Sequence, residues 1–174
     1  MADHCQSDEI EPPTAAKGQI VVRNLATSFN PIDPGRASGV MRQAFRLDLP
    51  WTPGGDVSGT VESIGEGVED LEAGDEVFGY GVAGGAYAEF VAIDAASIAL
   101  RPQTLTVEQG AAVAVVGQTA IQALELAKVG SGSTVLIQGG AGGVGSLAIQ
   151  IAHKAGAHVT NPIARLRKHQ RELA

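Results

Sequence analysis

Between residues 19 and 100, apolar positions come in short β-branched runs separated by glycine, proline and acidic residues. Residues 19–23 predict a brief strand, broken by Asn30-Pro31. Residues 57–64 are strand-like and end at Gly65. An acidic loop, residues 66–75, then delivers the chain to Glu76-Val77-Phe78. Gly84-Gly85 turns into a further run, residues 86–92. Strands this short, with glycine at their junctions, predict a small barrel-like β domain rather than a sandwich.

The pattern changes near residue 104. Thr106 followed three residues later by Gln109 fits a capping box, with Thr106 as N-cap. An alanine-rich helix is expected from there, interrupted at Gly117, resuming through Leu126 and closed by Gly130 and Gly132. Residues 134–138 read as a buried strand and residues 139–145 as a glycine loop. Residues 146–155 read as a helix with Leu147 and Ile151 on one face. Gly156 stands where a helix ends on a left-handed residue, and residues 157–160 begin a second strand. The order is β–loop–α–β.

That loop contains Gly140-x-Gly142-x-x-Gly145. The pattern alone is weak in a glycine-rich chain, where it also fits a tight turn with no ligand. Its position after a strand and before a helix favours a dinucleotide site. Gly140 then serves the tight turn, Gly142 the approach of backbone to a pyrophosphate, and Gly145 the packing of helix on strand. The helix N-terminus offers N–H groups and a positive dipole end to phosphate. An acidic residue about 20 positions past the loop usually holds the ribose of NAD. Here Thr160, Asn161 and Pro162 are followed by Arg165, Arg167 and Lys168, which favours the 2′-phosphate of NADP(H).

Charge and composition remove other classes. A net charge of −7 argues against a nucleic-acid or anionic-membrane surface. The N-terminal leader is acidic and has no apolar h-region, and no apolar run approaches the roughly 20 residues that span a bilayer. One cysteine, Cys5, excludes an internal disulfide and fits a reducing compartment, so the cytoplasm is expected. His4, His153, His158 and His169 show no metal-ligand spacing, and no G-x-S-x-G elbow occurs. Tyr80 and Tyr87 could donate protons but read as packed barrel residues.

Six segments share an order and spacing: Asn30-Pro-Ile-Asp33, Pro53-Gly-Gly-Asp56-Val-Ser-Gly-Thr-Val61, Gly74-Asp-Glu-Val77, Gly84-Gly-Ala-Tyr-Ala-Glu89, Thr119-Ala120 and Val135 through Gly145. Together they resemble the zinc-free quinone oxidoreductase (ζ-crystallin-like) branch of the medium-chain dehydrogenase/reductase superfamily. The resemblance implies an α/β chain: a GroES-like barrel over residues 1–105, then a linking helix and the first β-α-β of a Rossmann (doubly wound) domain over residues 106–174. It implies NADPH in the cleft between them and hydride transfer to a quinone or activated alkene. Asn30 is then the catalytic-cleft residue and Thr119 lies near the cofactor. Gly142, Gly143, Val144 and Gly145 line the pyrophosphate, Gly140 belongs to the same cofactor-binding loop, and Arg165 meets the 2′-phosphate. Asp33 is expected to be a turn residue. Zinc-dependent relatives carry Cys near the first segment and a Gly-His-Glu motif, whereas this chain has no Cys there and reads Gly55-Asp56 at the second place.

The chain departs from that branch too. Gly35 stands where a tyrosine is usual and Ala37 where an arginine is usual. Relatives begin with an additional hairpin and continue for roughly another domain's worth of residues. A truncated form is therefore expected, lacking the usual dimer-forming sheet edge although a homo-oligomer is the family habit. Two alternatives stay open: an enoyl-thioester reductase of the same superfamily, and a non-catalytic remnant or interaction protein that keeps the barrel.

Overall fold

The structure, a computed structural model, describes residues 6–161. The chain divides into two compact units, the first ending at Ala114 and the second beginning at Val115.

The first unit is built on five strands: β1 (Gln19–Ala26), β2 (Asp56–Ile64), β3 (Glu76–Tyr80), β4 (Phe90–Asp94) and β5 (Ile98–Leu100). They form one sheet in the order β4-β1-β2-β3-β5, with every pairing antiparallel. This is the antiparallel β part of the fold expected over the first hundred residues. Its core gathers Ile20, Val22, Val57, Val61, Val77, Val91 and Ile93, with Leu71 from the acidic loop. Val91 and Ile93 alternate with less buried neighbours, as a half-buried strand should. β2 does not: Asp56, Val57, Ser58 and Gly59 are all buried, so both faces of its first half are covered.

β1 runs to Ala26, beyond the expected residue 23, and its pairing with β2 slips between Asn24 and Ala26. Asn24 borders that irregularity. Its Nδ2 donates to the Ala86 carbonyl at 2.7 Å, and its Oδ1 accepts the Ser58 N–H at 3.2 Å. A side-chain amide thus replaces ladder bonds that the irregular backbone cannot make. The expected strand over residues 86–92 begins only at Phe90. The backbone of residues 85–87 bonds instead to residues 52–54, through Gly85, Ala86 and Tyr87 N–H groups.

A short helix, α1 (Ile32–Ala37), joins β1 to the loop before β2. The long helix α2 (Val107–Leu126) is continuous over 20 residues, so Gly117 does not interrupt it. Glycine costs a helix only about 1 kcal/mol, and neighbouring alanines and leucines restore that. The capping box forms: Thr106 N–H donates to Gln109 Oε1 at 2.9 Å, and Gln109 N–H to Thr106 Oγ1 at 3.2 Å.

In the second unit β6 (Thr134–Leu136) pairs in parallel with β7 (His158–Thr160), and α3 (Gly143–Lys154) connects them. Gly156 has φ +82° after α3, the left-handed residue expected there. Ala120, Leu124, Ile137, Ala148, Ala152 and Ala157 form the core of this β-α-β unit. Both helices contribute alanines to it, Ala120 from α2 and Ala148 and Ala152 from α3. Among the described residues no helix is long and apolar enough to cross a membrane.

Ile20 has no exposed surface in the centre of the sheet. Ile20→Ala is expected to lower the unfolding free energy by about 2–5 kcal/mol in urea denaturation. Thr106→Ala, which removes only a cap, should cost about 1 kcal/mol.

Candidate functional site

Two constellations carry chemistry, one in each unit. The first lies where β1 runs out. Thr27, Ser28 and Phe29 lead to Asn30-Pro31, and α1 begins one residue later. Asp33 Oδ2 accepts the Asn30 N–H at 2.8 Å, while the Asn30 carbonyl accepts the Asp33 N–H at 3.0 Å. The reciprocal pair fixes the turn and the start of the helix, so Asp33 acts as the turn residue the sequence suggested.

Asp56 is fastened to this turn. Its Oδ2 accepts Asn30 Nδ2 at 2.6 Å and also the Ser28 hydroxyl, while its carbonyl accepts Thr27 Oγ1 at 2.7 Å. Asn30 Nδ2 further donates to Ser28 Oγ at 3.3 Å. Asn30, Asp33 and Asp56 are all buried, Asp56 almost wholly. A buried carboxylate requires hydrogen-bond donors, and these supply them.

Tyr87 closes one side. Its hydroxyl donates to Asp33 Oδ2 at 2.9 Å and lies 3.4 Å from the Ser28 carbonyl. Its phenol is pushed well up from its ordinary value by burial, then by the bond to Asp33 and the charges of Asp33 and Asp56. Tyr80 is raised too, chiefly by burial, with Arg36 opposing and Asp33 and Asp56 adding. Both rings pack where a side chain is missing: a Cβ on Gly54 would collide with the Tyr87 ring, and one on Gly55 with the Tyr80 ring. The Gly-Gly before Asp56 is thus the seat for two tyrosines.

The second constellation is the loop between β6 and α3. Gly139, not Gly140, takes the left-handed conformation, at φ +69°. Gly140 is buried, and a Cβ there would press on the Ile149 side chain. The turn therefore bends one residue earlier than the motif reading placed it. A Cβ on Gly145 would collide with the Gly139 carbonyl oxygen, so glycine here allows helix and loop to close together. Gly142 is the N-cap of α3 and offers no side chain to it. The first-turn N–H groups of Gly143, Val144 and Gly145 have no partner within a helix and point out of its N-terminus. Gly142, Gly143 and Val144 are exposed. Such an end suits an anion.

Thr119 lies exposed on α2, its hydroxyl donating to the Val115 carbonyl at 2.7 Å. Arg165 lies outside the described residues. Sequence reasoning singled out Asn30 and the loop glycines, but missed Ser28, Asp56 as the acceptor, and the bond from Tyr87 to Asp33. Only the run Asn-Pro-x-Asp hinted that the region was more than a connection.

Residues 16–103 match the alcohol dehydrogenase GroES-like domain. The chain is 38% identical over 148 residues to 2-methylene-furan-3-one reductase of Solanum lycopersicum, a match covering 80% of this chain and 38% of that protein. It resembles the crystal structure of Escherichia coli quinone oxidoreductase complexed with NADPH, with TM-score 0.78 and 32% identity over 88% of this chain and 47% of the other. The structure of the CurK enoyl reductase matches with TM-score 0.85 and 25% identity, covering 98% of this chain and 54% of that one. The chain spans about half the length of the curated relatives it matches.

Tyr80 and Tyr87 are the two tyrosines of the chain. Because both pKa values are raised in the fold, their neutral forms stabilise it below about pH 10, the unfolded phenol value. That contribution is lost as pH rises further, through the folded values. Ultraviolet titration at about 295 nm should therefore show little tyrosinate at pH 10, where free phenols are about half ionised. Asp33→Asn should bring the Tyr87 titration down.

Proposed function

Because the chain belongs to the family of the alcohol dehydrogenase GroES-like domain, we propose that it serves NADPH-dependent, zinc-independent reduction of a quinone or activated alkene. Its relatives include quinone oxidoreductases and an NADPH-dependent alkenal/one oxidoreductase. The observation that carries the proposal is the open first turn of α3, capped by a glycine and preceded by a close-packed glycine loop. In this reading residues 1–105 form the catalytic part, and residues 106–174 the linking helix and cofactor part.

When bound, the reduced nicotinamide supplies the hydride. The chain then has to bind, orient and exclude water. The N–H groups of Gly143, Val144 and Gly145 would hold the pyrophosphate, with Gly140 and Gly142 shaping the approach. Thr119 would lie beside the cofactor, and Arg165 would meet the 2′-phosphate. Asn30 has its amide nitrogen committed to Asp56 and Ser28, which orients its Oδ1 as a fixed acceptor for a ligand donor. In this reading Asp56 serves as an acceptor for Ser28 and Asn30, and no step runs through a metal. The single cysteine fits a reducing compartment, and the proposal places the protein in the cytoplasm.

Enoyl-thioester reduction is the second reading, favoured by the similarity to an enoyl reductase over nearly the whole chain. Asn-Pro-Ile-Asp at residues 30–33 leans toward the quinone and enone class.

Nicotinamide fluorescence during titration with NADPH and, separately, NADH tests the cofactor half of the proposal. NADPH is expected to bind saturably and more tightly than NADH. Gly142→Asp, which sets a carboxylate against the phosphates, should weaken it by about tenfold or more. Arg165→Glu should remove the preference for NADPH. Failure of a folded sample to bind either nucleotide would leave the non-catalytic reading.

A further inference from the structure

Arg36 is a buried cation with an incomplete set of partners. It is 7% exposed, yet among the described residues no carboxylate lies within ion-pair distance of it. Nη1 donates to the Val82 carbonyl at 2.6 Å and Nη2 lies 3.4 Å from the Ala83 carbonyl. Nε is buried with no partner. The guanidinium sits 4.7 Å from the Trp51 ring centre and 5.1 Å from that of Phe45. Carbonyl dipoles and ring faces thus offset the charge only in part, and its field reaches into the space beside it.

That space is an open cavity of about 450 Å³ bordered by Arg36, Phe45, Arg46, Trp51, Val82 and Ala83. Its volume lies in the range of small-molecule sites. Two arginines and one carboxylate, Asp48, line it, in a chain whose overall charge is −7. Trp51 is held in place, its indole N–H donating to the Ala83 carbonyl at 2.8 Å. The same carbonyl edge therefore positions both the cation and the ring.

We infer that this cavity binds a planar aromatic anion, its ring laid against Trp51 and Phe45 and its negative group turned to Arg36 and Arg46. Fixed rings give flat ligands contact area without ordering cost, and a partly offset cation rewards negative charge more than a neutral acceptor. An aliphatic anion would forgo the rings, and a neutral ring would forgo the field. The inference stands apart from hydride transfer: it concerns binding within the barrel unit, and it can hold or fail whether or not the chain turns over NADPH.

Trp51 is the sole tryptophan, so its indole N–H gives one resonance in a ¹⁵N-correlated spectrum of the full chain. Naphthalene-2-carboxylate and 2-naphthalenemethanol share a ring system and differ in charge. The carboxylate is expected to move the indole resonance saturably and to bind at least about fivefold more tightly than the alcohol. Arg46→Gln, at an exposed position on the rim, should narrow that gap. Arg36→Lys should weaken both ligands, by loosening Trp51, and should weaken the carboxylate more. If Arg36→Lys fails to fold, Arg46→Gln carries the test. An indole resonance unmoved by the carboxylate would overturn the inference, as would equal affinity for the two ligands, and Arg36 would then be only a clamp between α1 and its loops.

Discussion

Asp56 opens β2 with a carboxylate almost wholly buried, and the geometry of the first unit's site follows from what that carboxylate must find. A charge taken out of water demands hydrogen-bond donors, so Ser28 and Asn30 are drawn in from the other end of the chain segment. Their commitment to Asp56 fixes the exit of β1, and the reciprocal bonds between Asn30 and Asp33 then fix the start of α1. Removing the carboxylate would leave buried donors without acceptors, each costing about 1–3 kcal/mol. Tyr87 reads the same network from outside, through Asp33. One buried carboxylate therefore sets the orientation of an amide and a hydroxyl, and through Asp33 of a phenol.

The second unit works by absence instead. Glycine at residue 145 lets α3 close onto the loop carbonyl, and glycine at residue 142 leaves the helix without a side-chain cap. Most helices satisfy their first N–H groups with a serine, threonine or aspartate. Here no side chain caps them, and the first turn holds no acidic residue that would repel an anion. A helix that forgoes its cap loses stability that a bound anion can return.

The local parts of this arrangement were legible in the sequence. The β–loop–α–β order, the capping box at Thr106 and Gln109, and Gly156 at the end of α3 each depend on a few adjacent residues. Propensity and turn chemistry suffice there. The tertiary parts were hidden. α1 contains Pro34 and Gly35 and has no periodicity, so nothing local announces a helix. β5 is three residues long. Asp56 reaches residues 26 and 28 positions away, and Arg36 meets carbonyls 46 and 47 positions away. No spacing rule connects such partners. The motif likewise counts glycines without saying which one turns: Gly139 takes the left-handed conformation, while Gly140 lies close against Ile149.

The central claim is that these two constellations serve hydride transfer from NADPH to a conjugated carbonyl acceptor. Incubating the full chain with NADPH deuterated at nicotinamide C4, on each face in turn, together with an enone, tests it most directly, with the product analysed by mass spectrometry. The account expects deuterium on carbon in the reduced product from one face only, because a site that orients the ring presents a single face. Product carrying no deuterium from either label, or no product from a folded, nucleotide-binding sample, would contradict it.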